Sequence, residues 1–355
     1  MNDRAHIDAL WQPLVDHGSQ WCASNVSADA HWIDVRDTRW RVAVTRPTTR
    51  NSYVVSATGQ YLDYAQEEVR RLPSMLARTV SRAALLPLAP ILRRLDPVVM
   101  LDALPLSTVL HARRTRDEWE LALHITRVAY PGLPILVRSL DETASRETMS
   151  KLTDAGLSLL PSRLVFHQDP RCAEFWRVRN VRHDVTLAER EPLELCELRE
   201  ADSPRIAELY WLLYGDKHSR LNPRFSAQWL AHAMRAGIFR GEGCMLAGRL
   251  VAAYLSYRVG DVMTNPVFGY DTALPQSLGL YRRLSLLTMQ AARREHVLLH
   301  ASSGAPGFKA SRGGVATMEY HAVDLRGTHG VQRQAWTLLR RIASAIAPAV
   351  FRNAQ

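Results

Sequence analysis

The chain has 355 residues, 47% hydrophobic and 23% charged, with a formal net charge of +10. These are globular proportions: they exclude disorder, collagen and coiled coil, and the length suits two ordinary domains. The four cysteines (Cys22, Cys172, Cys196, Cys244) form no C-x-x-C pair, which excludes a disulfide scaffold and a Cys-rich zinc module and suits a reducing compartment.

The opening residues, Met1-Asn-Asp-Arg-Ala-His, carry no apolar signal core, and the most apolar stretch, 83–110, is interrupted by Arg93, Arg94, Asp96 and Asp102. No signal peptide and no membrane span are expected, and the cytoplasm is the expected location. Alternation predicts a hairpin of strands over 31–35 and 40–45 and a third strand at 53–56. Helices are expected over 64–72 and 74–86, a strand over 106–111 and a helix over 116–129. A strand at 134–138, a helix at 146–155 capped by Gly156 and a strand at 159–166 complete the first half. Residues 167–191, rich in Arg, Asp and His and weakly periodic, read as a surface connector.

The second half restarts with a strand at 193–198. Ser203-Pro204 starts a helix that runs to Tyr214, and Ser226 caps another that ends at Gly237. Strands over 240–246, 249–257 and 262–270, turned at Gly248 and Gly260, form an antiparallel meander. A helix at 280–294, a strand at 296–301, a short helix at 307–311, a strand at 318–324 and a closing helix at 332–346 follow. The first half repeats this order roughly. The expected organisation is an N-terminal domain over 1–166, a connector over 167–191, a C-terminal domain over 192–330 and a terminal helix over 331–355. The class is α/β (α+β), each domain a mixed, mostly antiparallel sheet flanked by helices.

Only three basic residues are lysine: Lys151, Lys217 and Lys309. In so arginine-biased a chain, a surviving lysine marks places where a compact ammonium suits better than a guanidinium fork. The arginines are spread along the chain, which reads as a solvated basic surface, yet the excess charge attracts phosphate-bearing ligands.

The strand at 262–270 runs into Gln276-Ser277-Leu278-Gly279-Leu280-Tyr281, where a helix begins. Gly279 lets backbone N–H groups approach a ligand and the helix N-terminus is partly positive, a cradle for pyrophosphate; a plain strand-to-helix turn would look the same. A second segment, Gly304-Ala-Pro-Gly-Phe308-Lys309-Ala-Ser-Arg312-Gly-Gly314, follows the next strand. These segments resemble the GNAT acyltransferase superfamily. Gln276 and Gly279 match its [QR]-x-x-G-x-[GA] loop, with Tyr281 where Gly or Ala is usual. Ala305, Phe308 and Gly313 match its A-x-x-[LF]-Y-x-x-x-G-F helix, with Lys309 in the Tyr slot. The Phe-Lys pair followed by Gly resembles the FemABX and BioF2-like (CelD-like) branch, which is built from two GNAT-like domains. The motif resemblance covers 193–325.

The resemblance implies acyl transfer from acyl-CoA, or a carrier-protein thioester, to the amine of a small molecule. Acyl-CoA would then be the co-substrate, held by Gln276 to Tyr281, Phe308, Lys309 and Arg312, with Lys309 on the donor's phosphates or the leaving group. One alternative is a Fem-type transferase that uses aminoacyl-tRNA. Another is an inactive GNAT-fold binding module, marked by Tyr281 and Lys309. The loop carrying Tyr214, Asp216, Lys217, His218 and Asn222 falls where the family shapes its acceptor site, with Tyr270 nearby. Candidate bases are His218, Asp271 and Glu242. Glu319 and His321 share one strand face and Tyr320 takes the other. Ser302-Ser303 forms no G-x-S-x-G elbow, and no H-E-x-x-H, Walker loop or EF-hand occurs, so no metal is expected. The first half lacks a Gly-rich loop and is expected to wall the acceptor cleft. Gly279→Val is expected to weaken CoA binding roughly tenfold with little change in melting temperature.

Overall fold

The computed structural model describes residues 3–352 except Pro47, Thr49, Leu72 and Pro73. The end of the expected helix 64–72 at Leu72, and 353–355 of the expected terminal segment, therefore lie outside the described residues. The strands are β1 Ala28–Val35, β2 Thr38–Thr45, β3 Val99–Leu101, β4 Ile135–Asp141, β5 Ser158–Gln168 and β6 Glu194–Glu197. The second half adds β7 Glu242–Leu246, β8 Arg249–Val259, β9 Val262–Tyr270, β10 Leu298–His300 and β11 Val315–Asp324. They form one sheet in the order β1-β2-β3-β4-β11-β5-β10-β9-β8-β7-β6. It is mixed and mostly antiparallel, flanked by helices, as the alternation of patterns predicts.

The two halves mirror each other about the central pair. Each outer run of strands ends in one parallel pair, β3 with β4 and β9 with β10. β11 lies between β4 and β5, antiparallel to both, so the sheet runs unbroken across residues 166–192. All seven residues of β4 are buried, with the helices Arg116–Ala129 and Arg146–Asp154 packed against it and loop residues Val54, Leu106 and His111 hydrogen-bonded to Arg138. The meander β7-β8-β9 and the helix Arg116–Ala129 fall where expected, the helix closed by a Thr115–Glu118 capping box.

Three expectations change, and one helix goes unpredicted. Residues 53–56 form a turn and 106–111 run without regular structure, because their apolar side chains fill the core from a loop rather than from a ladder. The short strand β3 lies instead inside the apolar stretch, starting at Val99 rather than at residue 106. The segment 167–191 is not a surface connector: it holds a 3₁₀ turn, Ala173–Arg177, and the helix Arg179–Arg190, with Phe175, Val181 and Asp184 buried. An N-terminal helix, Asp3–His17, buries Ile7, Leu10, Trp11 and Leu14 and receives the Trp229 indole N–H on the Leu10 carbonyl at 3.3 Å. That 7-10-11-14 spacing is a helical stripe legible in the sequence. Among the described residues no helix is long and apolar enough to cross a membrane.

Candidate functional site

β9 and β10 pair only over Val262↔Leu298 to Thr264↔His300. Beyond that point β10 stops, and the following residues pair with β5 through Ala301 N–H to Phe166 O at 2.8 Å and Phe166 N–H to Ser302 O at 3.1 Å. β9 continues to Tyr270 with a bulge between its Thr264 and Val267 pairings to β8. Pro266, which has no N–H to donate, sits at this parting. The sheet thus splits, and a cavity of about 250 Å³ occupies the gap.

Both halves line it. Tyr53, Tyr64, Ser107 and Arg163 come from the first half, and Tyr210, Tyr214, His218, Asn222, Asn265 and Tyr281 from the second. Two π-helical turns, Gly59–Tyr64 and Leu212–His218, deliver Tyr64, Tyr214 and His218 to the cavity. Such wide turns rotate side chains away from the regular helical stripe, so periodicity does not reveal them. Tyr53 donates to Asn222 Oδ1 at 3.1 Å, and Asn222 Nδ2 donates to Tyr214 O at 2.9 Å, which clamps the halves together. Burial raises the hydroxyl pKa of Tyr53 and Tyr214, and raises that of Tyr281 to about 12. These phenols therefore stay neutral donors. The Asn265 Oδ1 is buried in the wall with no hydrogen-bond partner among the described residues, an acceptor left for a ligand.

Arg163 crosses the floor. Its guanidinium makes a two-pronged pair with Glu319, Nε to Oε1 at 2.9 Å and Nη2 to Oε2 at 3.2 Å, and Nη2 also donates to Ser107 O at 2.6 Å. Burial would raise the Glu319 carboxyl, but the Arg163 charge and the His321 contact outweigh it and hold the group down at about 2. Burial pushes His321 down to about 4, and Tyr61 OH meets its Nδ1 at 2.9 Å. The expected strand face is observed: Glu319 and His321 are both buried, while Tyr320 is partly exposed.

Lys309 is in the wall but not as a free cation. Its ammonium donates to three backbone carbonyls, Ala301 at 2.6 Å, Ser302 at 3.2 Å and Ser303 at 2.6 Å. Burial and the nearby Arg163 charge push its pKa down to about 7, against the pull of those three carbonyl oxygens, which favour the charged form. Lys309 therefore staples the turn that ends β10.

The other expected residues divide. Tyr281 and Phe308 line the cavity with rings 4.7 Å apart, but Gln276, Ser277, Leu278, Gly279 and Leu280 do not line it. A Cβ on Gly279 would lie 2.7 Å from Leu187 of the helix Arg179–Arg190, which covers this loop. Arg312 is held by Asp184 of the same helix, Nε to Oδ2 at 2.5 Å and Nη2 to Oδ1 at 3.1 Å, and lies over the Phe308 ring. Asp271 pairs with Arg205 at 2.8 Å and Glu242 accepts from Tyr254 and Arg294 at 2.8 and 2.9 Å, and neither lines the cavity. Asp216 and Lys217 are exposed outside it, Lys217 donating to the Tyr270 hydroxyl at 3.3 Å. The sequence reading missed Arg163, Asn265, Tyr53, Tyr64 and Tyr210. The one usable signal was Pro266 inside an otherwise regular strand.

Gly279 also has φ +61. Gly279→Ala is therefore expected to destabilise the protein by about 1–3 kcal/mol in urea unfolding, from left-handed strain plus the Leu187 clash. Adding Leu187→Ala should remove only the clash component. This replaces the expectation that a side chain at Gly279 would leave the melting temperature alone.

Behind the cavity, Asp141, His167 and His300 are buried with one ligand-type atom each within 4.8 Å of the others. The set does not fit a metal ion. His300 Nδ1 accepts the Ser302 N–H at 3.1 Å, so Nε2 carries the proton, and that proton faces Asp141 Oδ2 at 3.4 Å. A ligating nitrogen would need a lone pair there. Asp141 is held below the usual carboxylate range because the two imidazoles, each 3.4 Å away, outweigh its burial.

No protein-family model matches the sequence, and no curated protein matches it. Solved structures do. The C-terminal domain assigned to a lysylphosphatidylglycerol synthetase of Agrobacterium fabrum superposes with a TM-score of 0.54, at 10% identity, over 97% of each chain. The L-PGS of Bacillus licheniformis gives a TM-score of 0.52 at 12% identity, over 95% of this chain and 96% of that one. FemX gives 0.49 at 10% identity, over 92% and 97%. The first two likenesses show a shared fold over nearly the whole of each chain.

Proposed function

We propose that this chain is an acyl-transferring enzyme that works in the cavity between β9 and β10. The observation that carries this reading is the parting of the β9–β10 pair, which leaves a strand edge, an imidazole and an unpartnered amide oxygen facing one solvent-open cavity. An activated ester or thioester laid along the β9 edge would set its carbonyl against backbone N–H groups that stabilise the oxyanion. His218 would take the proton of an amine or hydroxyl acceptor as the new bond forms and the donor's C–O or C–S bond breaks. Holding both partners in one cavity makes the attack effectively unimolecular.

An aminoacyl ester carried on tRNA suits the site better than acyl-CoA. Leu187 occupies the approach to Gly279, and Arg312 is committed to Asp184. The net charge of +10 suits a polyanionic donor. The likeness to a lysylphosphatidylglycerol synthetase supports the same reading, since that name describes an aminoacyl group joined to an acceptor. Filter retention of mixed aminoacyl-tRNA by the full chain tests it. Retention should weaken steeply with salt, and ester loss in the presence of mixed amines and alcohols should slow by roughly 10²–10⁴-fold in His218→Ala. Acetyl-CoA should give no heat in calorimetry. Heat from CoA without tRNA retention would return the donor to acyl-CoA. Binding of either donor without turnover would make the chain a binding module.

A further inference from the structure

The helix Met75–Leu85 and the short helix Ala89–Leu92 stand out from the rest of the surface. Met75 is 78% exposed, Leu76 74%, Val80 60% and Leu86 62%. Large apolar side chains clustered at this exposure are uncommon on a soluble surface and mark an interaction site. Leu76, Val80 and Ala83 share one helical stripe, at i, i+4 and i+7, and Arg78 and Arg82 share the opposite one. Arg93 and Arg94 are exposed just beyond Ile91. From Val69 to Leu95 the chain has six arginines and no acidic residue. In the fold, this helix packs against Ala65–Arg71, which continues directly from the π-helical turn whose Tyr64 lines the cavity.

We propose that this segment docks the protein on an anionic phospholipid bilayer, with Leu76, Val80 and Leu86 entering the headgroup–acyl boundary and Arg78, Arg82, Arg93 and Arg94 meeting lipid phosphates. The charge complementarity names the partner: an interfacial helix carries a large apolar side and a basic polar side with no acids among them. An RNA backbone would use the arginines but leave the leucine, methionine and valine side chains in water. A second copy of this chain would set the same arginines against each other. The docked helix would hold the tyrosine-walled side of the cavity close to the lipid surface.

Flotation of the full chain with vesicles reads this without any transfer assay, so its failure and a failure of transfer are separate outcomes. Vesicles of phosphatidylcholine with about 30 mol% phosphatidylglycerol, a composition in which anionic headgroups attract polybasic segments, should carry the protein, and pure phosphatidylcholine should not. Leu76→Glu with Val80→Glu should lose roughly 100-fold in affinity, because two buried apolar side chains are replaced by charges. Arg78→Gln with Arg82→Gln should lose roughly 25-fold, about fivefold per charge. Both variants change exposed residues, so both should melt like the parent. Equal binding to both vesicle types, or full binding by the Leu76→Glu/Val80→Glu variant, would overturn the proposal. So would vesicle-free outcomes in which the arginine variant loses only tRNA retention, or the glutamate variant only dissociates a dimer.

Discussion

Glu319→Ala is expected to lower the free energy of unfolding by about 3 kcal/mol, toward the lower end of what losing one partner of a buried ion pair costs. Glu319 is fully buried on β11, while the Arg163 side chain on β5 keeps 21% exposure through the cavity. Water can therefore reach the orphaned guanidinium, which holds the cost below the upper end. Glu319→Gln keeps one acceptor oxygen and should lose about 2 kcal/mol, the worth of the charge on a charge-assisted hydrogen bond. Arg163→Met with Glu319→Leu should recover most of the loss, since an apolar pair of similar volume often replaces a buried ion pair at little cost. A loss under about 1 kcal/mol in Glu319→Ala, the scale of an exposed pair, would show that the pair does not brace the central strands.

The pH dependence has a defined sign. The folded carboxyl sits at about 2 and an unfolded glutamate near its ordinary value of about 4.3. The unfolded chain therefore binds more protons between these values, and stability falls as pH drops through that window. Above it the contribution is complete. Glu319→Ala should flatten the acid limb of a stability–pH curve. Asp141 and Asp102 are also held low, so part of the limb will remain in the variant.

The sheet was largely legible because it rests on period-two and period-3.6 patterns that do not depend on distant partners. The meander β7-β8-β9, the hairpin β1-β2 and the helix Arg116–Ala129 all follow from local alternation and capping. The placement of β11 between β4 and β5 could not be read this way, because strand order is set by which edges meet and not by any one strand's composition. The cavity was legible in part. His218, Tyr214 and Asn222 were reachable from a polar loop between helices, and Tyr281, Phe308 and Lys309 from a motif. Arg163 was not, because an arginine in an alternating strand looks like an outward-facing surface residue until a buried acid on the neighbouring strand claims it. The phosphate-loop reading stopped short for a similar reason. Gly279 has the required left-handed backbone, but the helix Arg179–Arg190 that covers it came from a segment whose charge disguised a packed face of Val181, Asp184 and Leu187.

Lys309→Ala is expected to damage the reaction more than the fold. The three carbonyls of residues 301–303 that share its ammonium form the wall where β10 turns away from β9. Without the cation their dipoles converge on one point with nothing between them, and the turn must open to let water in. Ser302 O keeps the Phe166 N–H, so two carbonyls, Ala301 O and Ser303 O, lose this donor; at about 1–3 kcal/mol for each buried carbonyl left unpaired, and with solvent reaching them through the cavity, the total should stay near 2–4 kcal/mol. The change in the cavity is the larger consequence. A shift of about 1 Å in a positioned wall is enough to cost about 10²-fold in rate. Lys309→Arg should not restore activity, because a planar fork cannot aim three donors at carbonyls that converge on a point charge. Lys309→Met keeps an unbranched apolar stem and loses the ammonium, which lies 6.0 Å from the centre of the Phe166 ring, so it separates packing from charge. Transfer by Lys309→Met at the parent's rate, with unfolding unchanged, would show that the turn holds its shape unaided and that the lysine acts on neither the wall nor the reaction.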